Sequence, residues 1–213
     1  MLKIYNTKVW FTSDFHWNHD KPWVVESRGF SSNEAHCRWL HDSWHDTIGS
    51  GDIVVNLGDL TFYDPEAKEF EAMTLWPCLK HLVLNGNHMS GHRQTYNKLL
   101  KKFKATGHHK IYPLKINNLF FMGDYMELSI DKQIIICFHY PIPIFNHMNQ
   151  GSFMVCGHSH GNYSETNPEN TTNKYIDVGV DCNKQRNGTP FISFEDLCEI
   201  MKERSAPTLD HHG

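Results

Sequence analysis

Short apolar runs separated by segments of helical spacing are the feature that most limits what this chain can fold into. The runs hold four to six residues and are rich in Val, Ile, Leu and Phe, whereas longer segments between them repeat apolar residues three and four positions apart. This alternation predicts a layered α/β protein. The predicted strands cover residues 9–12, 53–57, 81–84, 119–122, 126–130, 134–138, 153–156, 175–180 and 191–194.

Three segments have the spacing of helices that cover such a sheet. The first is expected from Ser31, which can form a capping box with Glu34, to Gly49. A second is expected to start at Asp64-Pro65. A third carries an apolar stripe, and its members are Tyr96, Leu99, Leu100 and Phe103. Residues 18–30 and 161–174 are predicted to be long loops.

Length and composition set the class of protein. The chain of 213 residues contains no linker, so we expect one domain over residues 1–204 and a flexible tail over 205–213. The six cysteines are scattered, and the N-terminus lacks an export signal, which predicts a cytoplasmic protein with reduced thiols. The longest apolar runs are far too short to span a membrane. The formal net charge of −4 argues against a partner such as a long nucleic acid but leaves small anionic substrates open.

Five of the apolar runs end in side chains that can bind metal ions. In open α/β sheets the carboxyl ends of strands gather at one crevice, so segments distant in sequence can meet there. We therefore expect one shared site. The five segments are Ser13-Asp14-Phe15-His16, Gly58-Asp59, Gly86-Asn87-His88, His139-Tyr140-Pro141 and Gly157-His158-Ser159-His160.

Spacing within these segments favours convergence. Residues two apart on an extended backbone face the same side, which would pair Asp14 with His16 and likewise His158 with His160. The glycines at 58, 86 and 157 would allow the backbone to turn sharply and approach an ion. Two aspartates, an asparagine and several histidines form a mixed oxygen and nitrogen set that suits Mn²⁺, Fe, Zn²⁺ or Ni²⁺.

The ordered set Asp-x-His, Gly-Asp, Gly-Asn-His, His and Gly-His-x-His, from Asp14 to His160, resembles the calcineurin-like metallophosphoesterases. Residues 18–19, 28–30 and 178–181 are similar to the small phage and bacterial members of that superfamily. The resemblance implies a four-layer fold, in which a sandwich of two β-sheets is flanked by helices. It also implies a centre of two divalent transition-metal ions at one edge, with Mn²⁺ expected first and Fe, Zn²⁺ or Ni²⁺ as alternatives.

The resemblance also implies a role for each matching residue. His88 would stay free of the ions and contact the substrate, together with Asn87 and His19. Asp59 would bridge the two ions. The implied ligands of the first ion are Asp14, His16 and His160, and those of the second are Asn87, His139 and His158.

The function implied is a phosphodiesterase acting on nucleotides or other small phosphodiesters. A hydroxide bridging the ions would attack phosphorus in line, and Asp59 and His88 would be the catalytic residues. His88 would donate a proton or a hydrogen bond to the leaving oxygen. The family often has Asp or Glu where this chain has Met89. Either another carboxylate serves His88, or His88 acts mainly as a neutral hydrogen-bond donor.

Other interpretations stay open at this stage. The protein could be a nuclease on short strands, or a scaffold that keeps the fold without catalysis. A histidine-rich metal buffer would not explain why the ligands end apolar runs. We interpret Arg28, Arg93 and Arg186 as surface charges, and Asp181 either as a brace for the ligand loops or as a turn or capping residue.

Overall fold

The structure, a computed structural model, describes residues 1–19, 21–61, 72–88, 114–163 and 173–205. In those ranges the chain forms eleven strands and four α-helices. The strands are β1 (Leu2–Ile4), β2 (Val9–Thr12), β3 (Ile53–Asn56), β4 (Lys80–Leu84), β5 (Leu114–Ile116), β6 (Leu119–Gly123), β7 (Tyr125–Ile130), β8 (Gln133–Phe138), β9 (Phe153–Cys156), β10 (Tyr175–Asp177) and β11 (Ile192–Ser193). The helices are α1 (Pro22–Ser27), α2 (Asn33–Thr47), α3 (Val180–Asn187) and α4 (Phe194–Lys202).

The strands form two mixed sheets. The first sheet has the order β1-β7-β8-β9-β10, and the second has the order β11-β2-β3-β4-β6-β5. Parallel pairing joins β2 to β3 and β3 to β4 in the second sheet, and β8 to β9 and β9 to β10 in the first. The carboxyl ends of each parallel set therefore lie at one edge of their sheet.

The largest apolar cluster lies between the two sheets. It combines Phe11 and Val55 of the second sheet with Leu128 and Val155 of the first. Alternate residues of a strand point to opposite faces, and Val54 accordingly packs on the other side, against α2. Because both faces of the central strands are buried, these strands appear in the sequence as continuous apolar runs.

The predicted α/β class is confirmed, and most predicted strands are present. The runs 9–12 and 153–156 match β2 and β9 residue for residue. Three predicted strands extend too far. The strand predicted at 53–57 ends at Asn56. Val180 begins α3, and Phe194 begins α4, whose cap is the side chain of Ser193, which accepts the N–H of Asp196. No helix within the described ranges is long and apolar enough to cross a membrane.

The helix predictions need two corrections. The cap of α2 is Ser32 rather than Ser31, because the side chain of Ser32 accepts the N–H of Ala35. The predicted loop at 18–30 contains α1, which begins with a proline and buries Val24 and Val25. The helices predicted at Asp64 and through Tyr96 to Phe103 lie outside the described residues, as do 164–172 of the second loop and 206–213 of the tail. All six cysteines are free, as predicted.

Candidate metal centre

Asp14 and Asp59 form the middle of the candidate site. They follow β2 and β3, whose parallel pairing brings the two loops side by side. The N–H of Asp14 donates to the carbonyl of Gly58 at 3.0 Å, and the N–H of His16 donates to the carbonyl of Asp59 at 2.9 Å. Both carboxylates are buried. Two acidic groups are thus held close together at the edge of the second sheet.

Residues in the loops that follow β4, β8 and β9 lie next to these two carboxylates, as the sequence predicts. Asn87 Oδ1 lies 2.9 Å from His139 Nε2 and 2.9 Å from His158 Nδ1. His139 Nε2 also lies 3.4 Å from Asp59 Oδ2. The loops that follow both sheets therefore meet at one place, as we expected from the positions of these residues at strand ends.

Two groups of ligand atoms are close enough to hold metal ions, counting only residues that the structure describes. Asp14, His16 and His160 form one group, and Asp14, Asp59 and His139 form the other, with all ligand atoms of a group within 4.8 Å of one another. The rings of His16 and His160 are stacked, with centroids 5.3 Å apart. Asp14 is common to both groups, whereas the resemblance implies Asp59 as the shared ligand.

The environment of Asp14 fits a cation. Its Oδ2 accepts the N–H of His158 at 3.0 Å, whereas Oδ1 is buried and has no hydrogen-bond partner among the described residues. Burial raises the pKa of Asp14 to about 6. A buried carboxylate oxygen without a donor is costly unless a positive charge neutralises it. A metal ion at this oxygen would provide that charge.

The ring of His139 also lacks a donor between facing acceptor atoms, and a cation there would be stabilising. Its Nδ1 lies 3.0 Å from the carbonyl of Leu57, which only accepts, so Nδ1 carries a proton. In the neutral ring Nε2 is then an acceptor, and it faces the acceptor oxygens of Asn87 and Asp59. Burial lowers the pKa of His139, but the hydrogen bond with Asp59 and the charge of Asp14 outweigh it, so the pKa is raised. His139 Nε2, Asn87 Oδ1 and Asp59 Oδ2 therefore require either a proton or a metal ion between them.

His16 is suited to act as a neutral ligand. Burial, together with the positive charge of Arg28, lowers the pKa of His16 to about 2. The imidazole is therefore uncharged at neutral pH and can offer a lone pair.

The backbone at the ligand residues is unusual and corrects one expectation. Five of the seven predicted ligands have positive φ angles, which are 58° at Asp14, 47° at His16, 50° at Asp59, 65° at His158 and 48° at His160. The predicted extended pairing is therefore wrong, and left-handed turns bring these side chains together instead. Such conformations are uncommon for residues other than glycine and cluster at functional sites, where the surroundings hold them in place.

The glycines act as predicted by allowing close approach. A Cβ on Gly86 would lie against the carboxylate and backbone nitrogen of Asp59, and one on Gly157 would lie against the side chains of Ser13 and Asp14. Both strand ends can therefore come next to the carboxylates only without a side chain.

Arg28 and Asp181 form hydrogen bonds with residues of the candidate centre. His160 Nδ1 lies 2.6 Å from Asp181 Oδ2, and Arg28 donates to both oxygens of Asp181, at 3.0 and 2.8 Å. Arg28 also donates to the backbone carbonyls of Asp14 and Phe15. The surface-charge interpretation of Arg28 is wrong, because its side chain is buried. The hydrogen bonds of Asp181 with His160 and Arg28 favour the bracing interpretation, although this residue lies in α3 and not in a strand.

His88 and His19 lie at the border of the site. The backbone N–H of His88 donates to Asp59 Oδ1 at 2.8 Å, and its ring centroid is 5.4 Å from that of His16. His19 is buried, and the centroid of its ring lies 5.3 Å from that of His16 and 6.1 Å from that of His88. Met89, where the family often has an acidic residue, lies outside the described residues.

Sequence reasoning missed two aromatic residues beside the site. The ring of Tyr140 is 4.5 Å from that of His158. The ring centroid of Trp23 lies 6.2 Å from that of His160 and 6.3 Å from that of His16. Tyr140 belongs to the predicted segment His139-Tyr140-Pro141, and its position directly after His139 is the signal for a role at the site. Trp23 lies in α1, a helix without a clear signal in the sequence.

Comparison with known proteins adds information on the fold alone. No family model matches this chain, and no curated protein matches it. The crystal structure of AQ665, a protein of unknown function from Aquifex aeolicus, is similar, with a TM-score of 0.61 and 16% sequence identity. The match covers 92% of this chain and 100% of that one. The arrangement of strands and helices therefore has a counterpart in a solved structure.

Proposed function

We propose that this protein is a phosphohydrolase that depends on two divalent metal ions and acts on phosphodiesters. The observation that carries the proposal is the pair of ligand groups that share Asp14, at the meeting point of loops from both sheets. The buried oxygen of Asp14 and the acceptors around His139 both call for positive charge. Sites with two neighbouring cations are well suited to binding and cleaving phosphoesters.

In the proposed centre the residues would divide between two ions as the resemblance implies, with Asp59 as the shared ligand, whereas the two geometric groups share Asp14. Asp14, His16 and His160 would hold one ion. Asn87, His139 and His158 would hold the other, and Asp59 would contribute to both. The mixed nitrogen and oxygen set favours Mn²⁺, with Fe, Zn²⁺ or Ni²⁺ as alternatives. The four-layer sandwich of the calcineurin-like proteins is the architecture that we propose for the two packed sheets and their helices.

The side chains prepare the site for an anionic substrate. Two divalent ions supply a water molecule of lowered pKa and stabilise the charge on phosphoryl oxygens. Asp181 fixes the ring of His160, and the carbonyl of Leu57 fixes that of His139, so both present a defined nitrogen to the site. The burial of Asp14 keeps bulk water away from the central carboxylate. Ligands held in this way need little rearrangement during the reaction.

His88 is the proposed donor to the leaving oxygen. Its backbone is held by Asp59, so its ring stays beside the centre. Asn87 and His19 are the other proposed substrate contacts. A donor at this position stabilises the negative charge that develops as the phosphoester bond breaks.

Hydrolysis assays on purified protein test the proposal. The protein is stripped of metal, supplied with Mn²⁺ and given bis(p-nitrophenyl) phosphate or p-nitrophenyl phosphate. Activity should require the metal, favour the diester and fall about 100-fold or more in Asp59→Asn. The amide would hold the ions less tightly than the carboxylate, and loss of even an outer partner of a metal ligand costs about 10–100-fold. The matched control is Asp42→Asn, which removes an exposed carboxylate of α2 and should leave the rate unchanged.

Three outcomes would contradict the proposal or part of it. If neither substrate is cleaved and elemental analysis finds no bound transition metal, the protein is a scaffold. Cleavage of the monoester alone would overturn the diester preference. Equal rates of hydrolysis for the wild type and Asp59→Asn would show that Asp59 is not a ligand that the reaction needs.

A further inference from the structure

A cavity of 610 Å³ opens beside the candidate metal centre. His160 forms part of its wall, so the cavity and the first ligand group share a side chain. A volume of this size suits a small organic molecule. The other side chains that matter for its chemistry are Trp23, Arg28, Asn162, Lys184 and Gln185.

Trp23 provides a flat aromatic surface at the junction of cavity and centre. Its side chain is 54% exposed although it is large and apolar. The helix that carries it is anchored by the burial of Val24 and Val25, so the backbone from which the indole projects is held in place. Its ring centroid lies 6.2 Å from that of His160. An exposed indole on an anchored helix beside a candidate ligand is suited to stacking on a planar group of the substrate.

The rest of the described wall is polar. Asn162 and Gln185 are exposed amides, each with a donor and an acceptor. Among the described residues of the lining, Asp181 is bonded to Arg28 and His160, the buried Arg28 also donates to two backbone carbonyls, and the ammonium of Lys184 donates to the carbonyl of Arg28. Such a wall can pair with the edge of a heterocycle and tolerates a neighbouring phosphate.

We infer that this cavity binds the nucleobase of a nucleotide substrate, with the base stacked on Trp23. The inference rests on the proposed function, because the phosphoryl group would occupy the metal centre. In a nucleotide the sugar separates base from phosphate, and the indole likewise lies just beyond the histidines of the centre. Base–aromatic stacking depends little on the identity of the base, so Trp23 would select nucleotides as a class. A sugar phosphate lacks the planar ring that this surface fits.

Two ligands that differ only in the base test the inference. Adenosine 5′-monophosphate and ribose 5-phosphate are titrated calorimetrically into the Mn²⁺-loaded protein, and a phosphate assay after each titration verifies that neither monoester has been cleaved. The wild type should bind the nucleotide about tenfold more tightly, within the range expected for stacking on one aromatic ring. Trp23→Ala should reduce the ratio of the two affinities to about one, and Trp23→Phe should retain most of it.

Tyr5→Ala is the matched control. Tyr5 is an aromatic residue with the same 54% exposure, and it is not part of the cavity lining. Its loss should leave the ratio of affinities at the wild-type value. The thermal unfolding midpoints of all three variants verify that each is folded before titration.

Specific results would overturn the inference. Equal affinities for the two ligands in the wild type, no detectable binding of either, or an unchanged ratio in Trp23→Ala would each exclude a base site on Trp23. If the protein cleaves bis(p-nitrophenyl) phosphate but binds the two ligands with equal affinity, the proposed function stands and the base site is excluded. A protein that cleaves no phosphoester but shows the Trp23-dependent ratio keeps the base site and loses the proposed function.

Discussion

Asp181 links the candidate centre to the rest of the protein through three side-chain hydrogen bonds. Burial alone would raise the pKa of Asp181, but the hydrogen bonds from His160 and Arg28 hold it well below its usual range. The carboxylate is therefore ionised at any pH near neutrality. An ionised partner at Nδ1 favours the tautomer of His160 in which Nε2 carries the lone pair.

Replacing this carboxylate should weaken metal binding. In Asp181→Asn we expect an affinity for Mn²⁺ about 10–100-fold below that of the wild type, because His160 loses the partner that orients it. Isothermal titration calorimetry measures the change. The control Asp131→Asn alters an exposed carboxylate in the turn between β7 and β8 and should have no effect. An unaltered affinity in Asp181→Asn would show that His160 does not need this brace.

The convergence of the candidate ligands could be predicted from the sequence, but the residues that support them could not. Each candidate ligand follows an apolar run, and that position is visible locally. Arg28 and Asp181 are 153 residues apart, and nothing in either neighbourhood indicates that the other will be its partner. Burial of an arginine depends on such distant acceptors, which is why Arg28 resembles an ordinary surface charge in the sequence.

At the scale of elements, the end of β9 lies directly against the loop that follows β2. Gly157 makes this possible, since any side chain there would meet Ser13 and Asp14. Substitution should therefore affect both the stability of the fold and the position of the central carboxylate.

Gly157→Ala should lower the free energy of unfolding by about 1–3 kcal/mol, the usual cost of forcing an extra carbon into a packed site. It should also reduce Mn²⁺ binding, because Asp14 must move. Gly51→Ala is the control, since a Cβ at Gly51 meets nothing within 4 Å. Urea denaturation and metal titration measure the two effects. If both variants behave alike, the contact between these two loops has no energetic importance.

The elements that were missed share a physical reason. β1 and β5 contain three residues each, and α1 contains six, so each shows fewer than two periods of its pattern. Helix α3 is almost entirely polar and follows a buried strand without a long loop. The apolar residues on either side of Ser193 conceal the boundary between β11 and α4. By contrast, β2 and β9 are buried on both faces and form unbroken apolar runs.

The stability of the whole molecule should depend on pH through buried histidines. His81 is fully buried next to Trp44, and neither of its ring nitrogens has a hydrogen-bond partner in the described parts of the chain. Burial lowers the pKa of His81 from 6.5 to about 3. The folded chain therefore keeps this ring neutral while the unfolded chain protonates it. Its contribution to stability is complete above pH 6.5 and is lost as the pH falls toward 3.

Comparison with His81→Phe isolates this contribution. Between pH 7.5 and 5 the free energy of unfolding should fall by about 2 kcal/mol more in the wild type than in the variant. Chemical denaturation at a series of pH values measures the difference. The exposed His41→Gln should follow the wild-type profile. Parallel profiles for wild type and His81→Phe would mean that His81 is not held neutral in the folded protein.

The hydrogen bond between Asp14 and the backbone of His158 joins positions 144 residues apart. Contacts of such long range form slowly, because a large loop must close before they stabilise anything. During synthesis on the ribosome, a chain that has not yet emerged past residue 160 lacks Asp181, which orients His160 of the first ligand group. Loading of the proposed metal centre would therefore be a late event in the maturation of the protein, and chains truncated before Asp181 should bind Mn²⁺ more weakly than the full chain.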